Sequence, residues 1–114
     1  MDDSGWYDFE DLDWDNEDDE EGNYQHCLGA DHLGEDPKRV VDELLAEEPI
    51  RSKLRLGTAA FALVGPNAAR DTLWTVAFAA SFKRGDWLRP ITGWQAKPQQ
   101  VREWERATGK AWRR

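Results

Sequence analysis

Twelve carboxylates and no basic side chain lie between Asp2 and Glu21, and the first positive side chain is Lys38. A buried core cannot take that many unpaired carboxylates, because each would lose its hydration without a compensating partner. The stretch must be solvated or laid against something positive. Threaded among the acids are Trp6, Tyr7, Phe9, Leu12 and Trp14. A purely solvating tail has no use for indoles, whereas an acidic-hydrophobic docking segment needs both charges and rings.

These properties divide the chain into an acidic arm, residues 1–23, and a globular domain, residues 24–114, whose C-terminal half is basic. Residues 22–48 hold seven acids against Lys38 and Arg39, and residues 49–114 hold four acids against thirteen bases. The overall charge of −8 therefore conceals a strong asymmetry of sign. The length suits one layered domain. Cys27 is the only cysteine, so no internal disulfide framework is available. The opening residues lack the basic and apolar regions of a secretory signal, so none is expected, and the longest apolar run, Thr58–Val64, is too short to span a bilayer. The expectation is a cytoplasmic protein away from membranes, of undetermined oligomeric state.

Local patterns give an α+β domain, a small antiparallel sheet with one or two packed helices, preceded by an extended acidic arm. Asp36-Pro37 supplies an N-cap and a first-turn proline, and Val40, Val41, Leu44 and Leu45 form one helical face. A helix over 37–48 follows. Residues 23–34 read as turn-rich, with Gly29 and Gly34 discouraging regular structure. In 72–82 the large residues Trp74, Val76, Phe78, Ala80 and Phe82 alternate with Thr75, Ala77, Ala79 and Ser81. That is a strand period, though Trp74, Phe78 and Phe82 also fit a helical spacing of four. The sheet is expected within 53–95, with Trp87–Trp94 a short strand or loop because of Pro90 and Gly93. Pro98 opens a last helix over 98–108, which Gly109 ends.

Catalytic signatures are sparse. His26, Cys27, Asp31 and His32 fall within seven residues, but structural zinc uses paired ligands from two separated halves, and a Cys–His nucleophile assembles from distant segments. The cluster is read as a small buried thiol with surface imidazoles. No phosphate-binding glycine loop or GxSxG elbow is present. Carboxylates crowd the arm, where nothing holds two of them at a fixed distance as acid–base catalysis requires. A non-enzymatic role without cofactor or metal is expected.

Two binding sets remain. The first is Trp6, Tyr7, Asp8, Phe9, Glu10, Asp11, Asp13, Trp14 and Asp15. An extended carboxylate string approaches the charge density of a nucleic-acid backbone and suits a basic groove on a partner protein, with the rings as desolvated anchors. The second is Lys83, Arg84, Trp87, Arg89, Trp94, Arg102 and Arg106, in which cations alternate with indoles as in single-strand nucleic-acid binders. The arm would then screen a nucleic-acid-binding half of its own chain. A third expectation is an accessory subunit whose arm lies on a neighbour.

Overall fold

The computed structural model describes residues 11–56, 60–82 and 87–112. The chain runs β1 (Asp11–Leu12), α1 (Asn23–Leu28), α2 (Pro37–Ala46), β2 (Ile50–Arg51), β3 (Ala60–Pro66), β4 (Leu73–Ala80), β5 (Trp87–Gln95) and α3 (Pro98–Thr108). The strands form one sheet in the order β1-β5-β4-β3-β2. Three of its pairings are antiparallel, and β1 lies parallel to β5 with Asp11 opposite Trp87. The α+β class stands, with a mostly antiparallel sheet and three helices.

Local chemistry accounts for the helices. The Asp36 carboxylate accepts a hydrogen bond from the Lys38 backbone N–H at 3.1 Å, and Pro37 occupies the first turn of α2. Helix α2 ends at Ala46, two residues before the expected limit, and Glu48 adopts a positive φ of 52° before Pro49. Proline disfavours helical backbone in the residue before it, so the helix must unwind there. Helix α3 has the expected bounds. The Gln100 side chain accepts from the Lys97 backbone N–H at 3.0 Å, and Gly109 leaves the helix at φ 72°.

Strand β4 is central and covered on both faces. Its alternate residues Trp74, Val76 and Phe78 join Cys27, Leu33, Val40, Val41, Leu44, Leu63 and Leu88 in the main core under α1 and α2. Leu73 turns the other way and packs with Val64 and Trp104 of α3. Helices therefore lie on both sides of the sheet, and the small residues Thr75 and Ala77 are as buried as the large ones. Burial of both faces explains why β4 reads as a nearly continuous apolar run.

Four local expectations need correction. The sheet, expected within 53–95, also takes in β1 and β2. Phe82 lies outside β4 and is 99% exposed, so it does not extend the large face of the strand. Trp87–Gln95 is a full nine-residue strand. Pro90 is tolerated there because the register slips beside it, with Ala77 opposite Thr92 and Phe78 opposite Pro90. Asn23–Leu28 forms a short helix where turns were expected. Gly29 ends it, and the Leu33 N–H then donates to the Cys27 carbonyl at 3.0 Å.

The Cys27 thiol is fully buried, and burial pushes its pKa from an ordinary 9.0 up to about 11. Between those values the unfolded chain has released a proton that the folded chain keeps, so raising the pH favours unfolding. The neutral thiol's contribution is intact below about pH 9 and gone above about pH 11, a loss on the order of 2 to 3 kcal/mol. Urea midpoints at about pH 8 and about pH 10.5 should show this fall in the parent protein and a smaller one in Cys27→Ala. Equal falls in both would remove the thiol from the account.

Candidate protein-docking surface

From Asp11 onward the acidic segment is part of the fold. Leu12 and Trp14 pack against the main core, and Trp14 meets Tyr24 edge-on at 6.1 Å between centroids. Asp13, between them, points the opposite way, as strand alternation requires. It is 3% exposed, its carboxylate accepts from the Ser81 hydroxyl at 2.6 Å, and Arg89 approaches at 3.4 Å. Its backbone N–H donates to the Leu88 carbonyl at 2.7 Å, extending the β1–β5 pairing by one bond.

Asp15 completes the attachment. Arg89 donates to both of its carboxylate oxygens, at 3.1 and 2.6 Å, a fork-on-fork contact that fixes orientation as well as charge. The hydrogen bond that Arg89 donates to Asp15 is the main reason that the Arg89 pKa is raised above its ordinary value. On the other side of Asp15, Asn23 ties the segment to the start of α1. Its Oδ1 accepts from the Asp15 N–H at 2.8 Å, and its backbone N–H donates back to the Asp15 carboxylate at 2.9 Å. Its Nδ2 donates to the carbonyls of Asp13 and Pro90, at 2.9 and 2.8 Å. One buried amide thereby joins three separate stretches of chain.

Between these anchors the chain makes a compact acidic ridge, Glu17 to Glu21. Two successive turns shape it, with Asp19 N–H on the Asn16 carbonyl and Gly22 N–H on the Asp19 carbonyl, each at 3.0 Å. Side chains reinforce the turns, since Asn16 Oδ1 accepts from the Asp18 N–H and Asp19 Oδ1 from the Glu21 N–H. Gly22 is required by close approach, because a Cβ there would lie 2.7 Å from the Asp15 Cβ. Glu17 is bridged by Lys38 at 2.8 Å across exposed surface. Asp18, Glu20 and Glu21 are exposed and have no cationic partner among the described residues. Beside the ridge is an open hollow of about 270 Å³, lined by Glu21, Gly22, Asn23, His26, Arg89 and Ile91.

The wider surface is polarised. Described residues 11–48 carry fifteen carboxylates against Lys38 and Arg39, and those from 49 onward carry three against nine bases. Among the described residues, the two cations of the acidic half are engaged: Lys38 with Glu17, and Arg39 with Glu35 and Glu43.

The candidate residues read from sequence are distributed as follows. Trp6, Tyr7, Asp8, Phe9 and Glu10 of the first set, and Lys83 and Arg84 of the second, lie outside the described residues. Asp13 and Asp15 meet Arg89, so one member of the basic set is engaged by two members of the acidic set. Trp14 is half-buried in the core, Trp87 pairs with Asp11 at the sheet edge, and Trp94 sits under the Lys97 ammonium at 5.7 Å from its ring centroid. Arg102 and Arg106 are exposed on α3, across the sheet from α1 and α2.

The residues missed by sequence reading are Ser81 and Asn23, and the alternation Asp11-Leu12-Asp13-Trp14-Asp15 was the available signal for an edge strand. In the His26–Cys27–Asp31–His32 cluster the two imidazoles pack at 4.2 Å between centroids, His32 Nδ1 lies 3.1 Å from the Thr92 hydroxyl, and the thiol faces the core. No group of three or more metal-ligating side chains occurs among the described residues, and no described helix is long and apolar enough to cross a membrane.

Against known protein families, curated proteins and solved structures, the chain matches none.

Proposed function

We propose that this protein is a non-enzymatic cytoplasmic binding regulator that sets its acidic ridge, Glu17 to Glu21, into a basic groove of a partner protein, a groove of the kind that otherwise holds nucleic acid. The observation that carries this reading is the attachment of the ridge at both ends, through Asp13 and Asp15 to Arg89 and through Asn23 to β5. A loose acidic tail loses chain entropy when it docks, whereas a ridge held by the fold presents its charges already ordered. The neighbouring hollow, with Ile91 37% exposed on its wall, offers an apolar seat that charge alone lacks.

Neutralising the unpaired carboxylates with Asp18→Asn, Glu20→Gln and Glu21→Gln leaves every anchor in place. The triple variant should fold as the parent does and lose a partner that the parent retains from host lysate at about 0.1 M salt, with release of that partner near 0.5 M. Recovery of the same proteins by both forms would refute the reading.

A second reading is supported by the Arg89 contacts. A nucleic-acid-binding half that includes Arg102 and Arg106 would be partly screened by the acidic segment of the same chain. Arg102→Gln/Arg106→Gln would then weaken binding to single-stranded nucleic acid and flatten its salt dependence by about two charges. Under the first reading, the parent binds no nucleic acid for these changes to affect.

A further inference from the structure

Where β4 begins and β5 ends, a depression of about 380 Å³ opens between the sheet, α3 and the C-terminal segment, lined by Leu73, Gln95, Ala96, Pro98, Val101, Arg102 and Trp112. Its size falls within the range of small-molecule pockets. The floor is aliphatic and one wall is an indole. The Trp112 ring is set edge-on against the buried Trp104 at 5.6 Å between centroids, and the Trp112 backbone N–H donates to the Glu105 carboxylate at 2.8 Å. The wall is therefore built into the fold.

The charge balance at the rim is uneven. Glu103 accepts from the Ser52 hydroxyl and the Lys53 N–H, each at 2.7 Å, and Glu105 is occupied by Trp112. Both carboxylates on α3 thus make their hydrogen bonds to groups other than the Arg102 guanidinium. Arg102 is exposed and has no acidic partner among the described residues. A guanidinium without an ion-pair partner among the described residues, over an aliphatic floor and beside a fixed indole, matches one ligand chemistry. The carboxylate takes the fork of Arg102 and a flat ring lies against Trp112 and Val101. Gln95 adds an amide at the mouth.

We propose that this depression, formed by Arg102, Trp112 and the apolar floor of Leu73, Ala96 and Val101, is a binding site for a small aromatic carboxylate. The site is independent of the acidic ridge and of the partner that the ridge takes.

The test uses the full chain with phenylacetate and its neutral isostere phenylacetamide, followed by amide and indole NMR shifts. Phenylacetate should give saturable shifts at Ala96, Val101, Arg102 and the Trp112 indole, and bind about tenfold or more tightly than the amide. Arg102→Gln, an exposed change, should lower the acid to the level of the amide and leave the amide where it was. Equal binding of acid and amide to the parent, shifts that cluster elsewhere, or no saturable shift up to about 20 mM would each overturn the proposal.

Discussion

Replacing Arg89 with alanine is expected to destabilise the protein by about 3 kcal/mol and to release the segment from Asp11 to Glu21 from the sheet. Asp13 is 3% exposed, and the substitution takes from it a cation at 3.4 Å while leaving its negative charge inside. Asp15 loses a contact at 2.6 Å at the same time. Removing one partner of a buried pair costs more than removing both, because the remaining charge still has to be desolvated. Arg89→Ala combined with Asp13→Asn should therefore regain a large part of the loss, and the double-mutant cycle measures how much. Denaturant midpoints give the energies, and limited proteolysis reports the segment, which should be cut in the single variant and resist in the parent. If the single variant is as stable as the parent, the clamp contributes nothing.

Asn23→Ala is expected to cost a similar amount, about 3 kcal/mol, by a different route. The side chain is 5% exposed and satisfies three backbone groups: the Asp15 N–H and the carbonyls of Asp13 and Pro90. Alanine leaves all three without the amide, and a buried polar group that loses its partner costs about 1 to 3 kcal/mol. Asn23→Asp should be at least as damaging, although its shape is nearly the same. It exchanges the donor that faces two carbonyls for an acceptor with negative charge. Thermal unfolding of both variants tests this. An aspartate variant as stable as the parent would mean that shape, and not the hydrogen-bond pattern, matters at this position.

Both predictions concern residues whose roles were legible to different degrees. Helices α2 and α3 were readable because their signals are local: Asp36-Pro37, Pro98 and Gly109 are start and stop chemistry that acts within one turn. Strand β4 was readable from its period of two. Its length was not, because Phe82 is as apolar as Phe78, yet β4 ends at Ala80, and one is exposed while the other is fully buried. The nine-residue β5 was obscured by Pro90, which is excused by a register slip that exists only once β4 lies beside it.

At the candidate site the charge excess was plain, and its disposition was not. Asp13 and Asp15 look like Asp18 in sequence, since all three lie in the same run of acids. They differ because Leu12 and Trp14 seek the core and turn Asp13 toward Ser81, a residue 68 positions away. Long-range pairing of this kind is set by the register of β1 on β5, which composition cannot supply. Arg89 helps to meet the cost of burying a charge, from the half of the chain that seemed to offer a separate binding set.

The acidic segment from Asp11 to Glu21 is held by the domain through Asp13, Asp15 and Asn23, and it presents Asp18, Glu20 and Glu21 from that base. Amide hydrogen exchange at Asp13 and Asp15 tests it most directly, because their N–H groups donate to the Leu88 carbonyl and to Asn23 Oδ1. Both amides should exchange as slowly as those in the centre of β4 and open only with global unfolding, and Arg89→Ala should bring them to the rate of an unstructured chain. Exchange at that unstructured rate in the parent protein, with β4 still protected, would contradict the account.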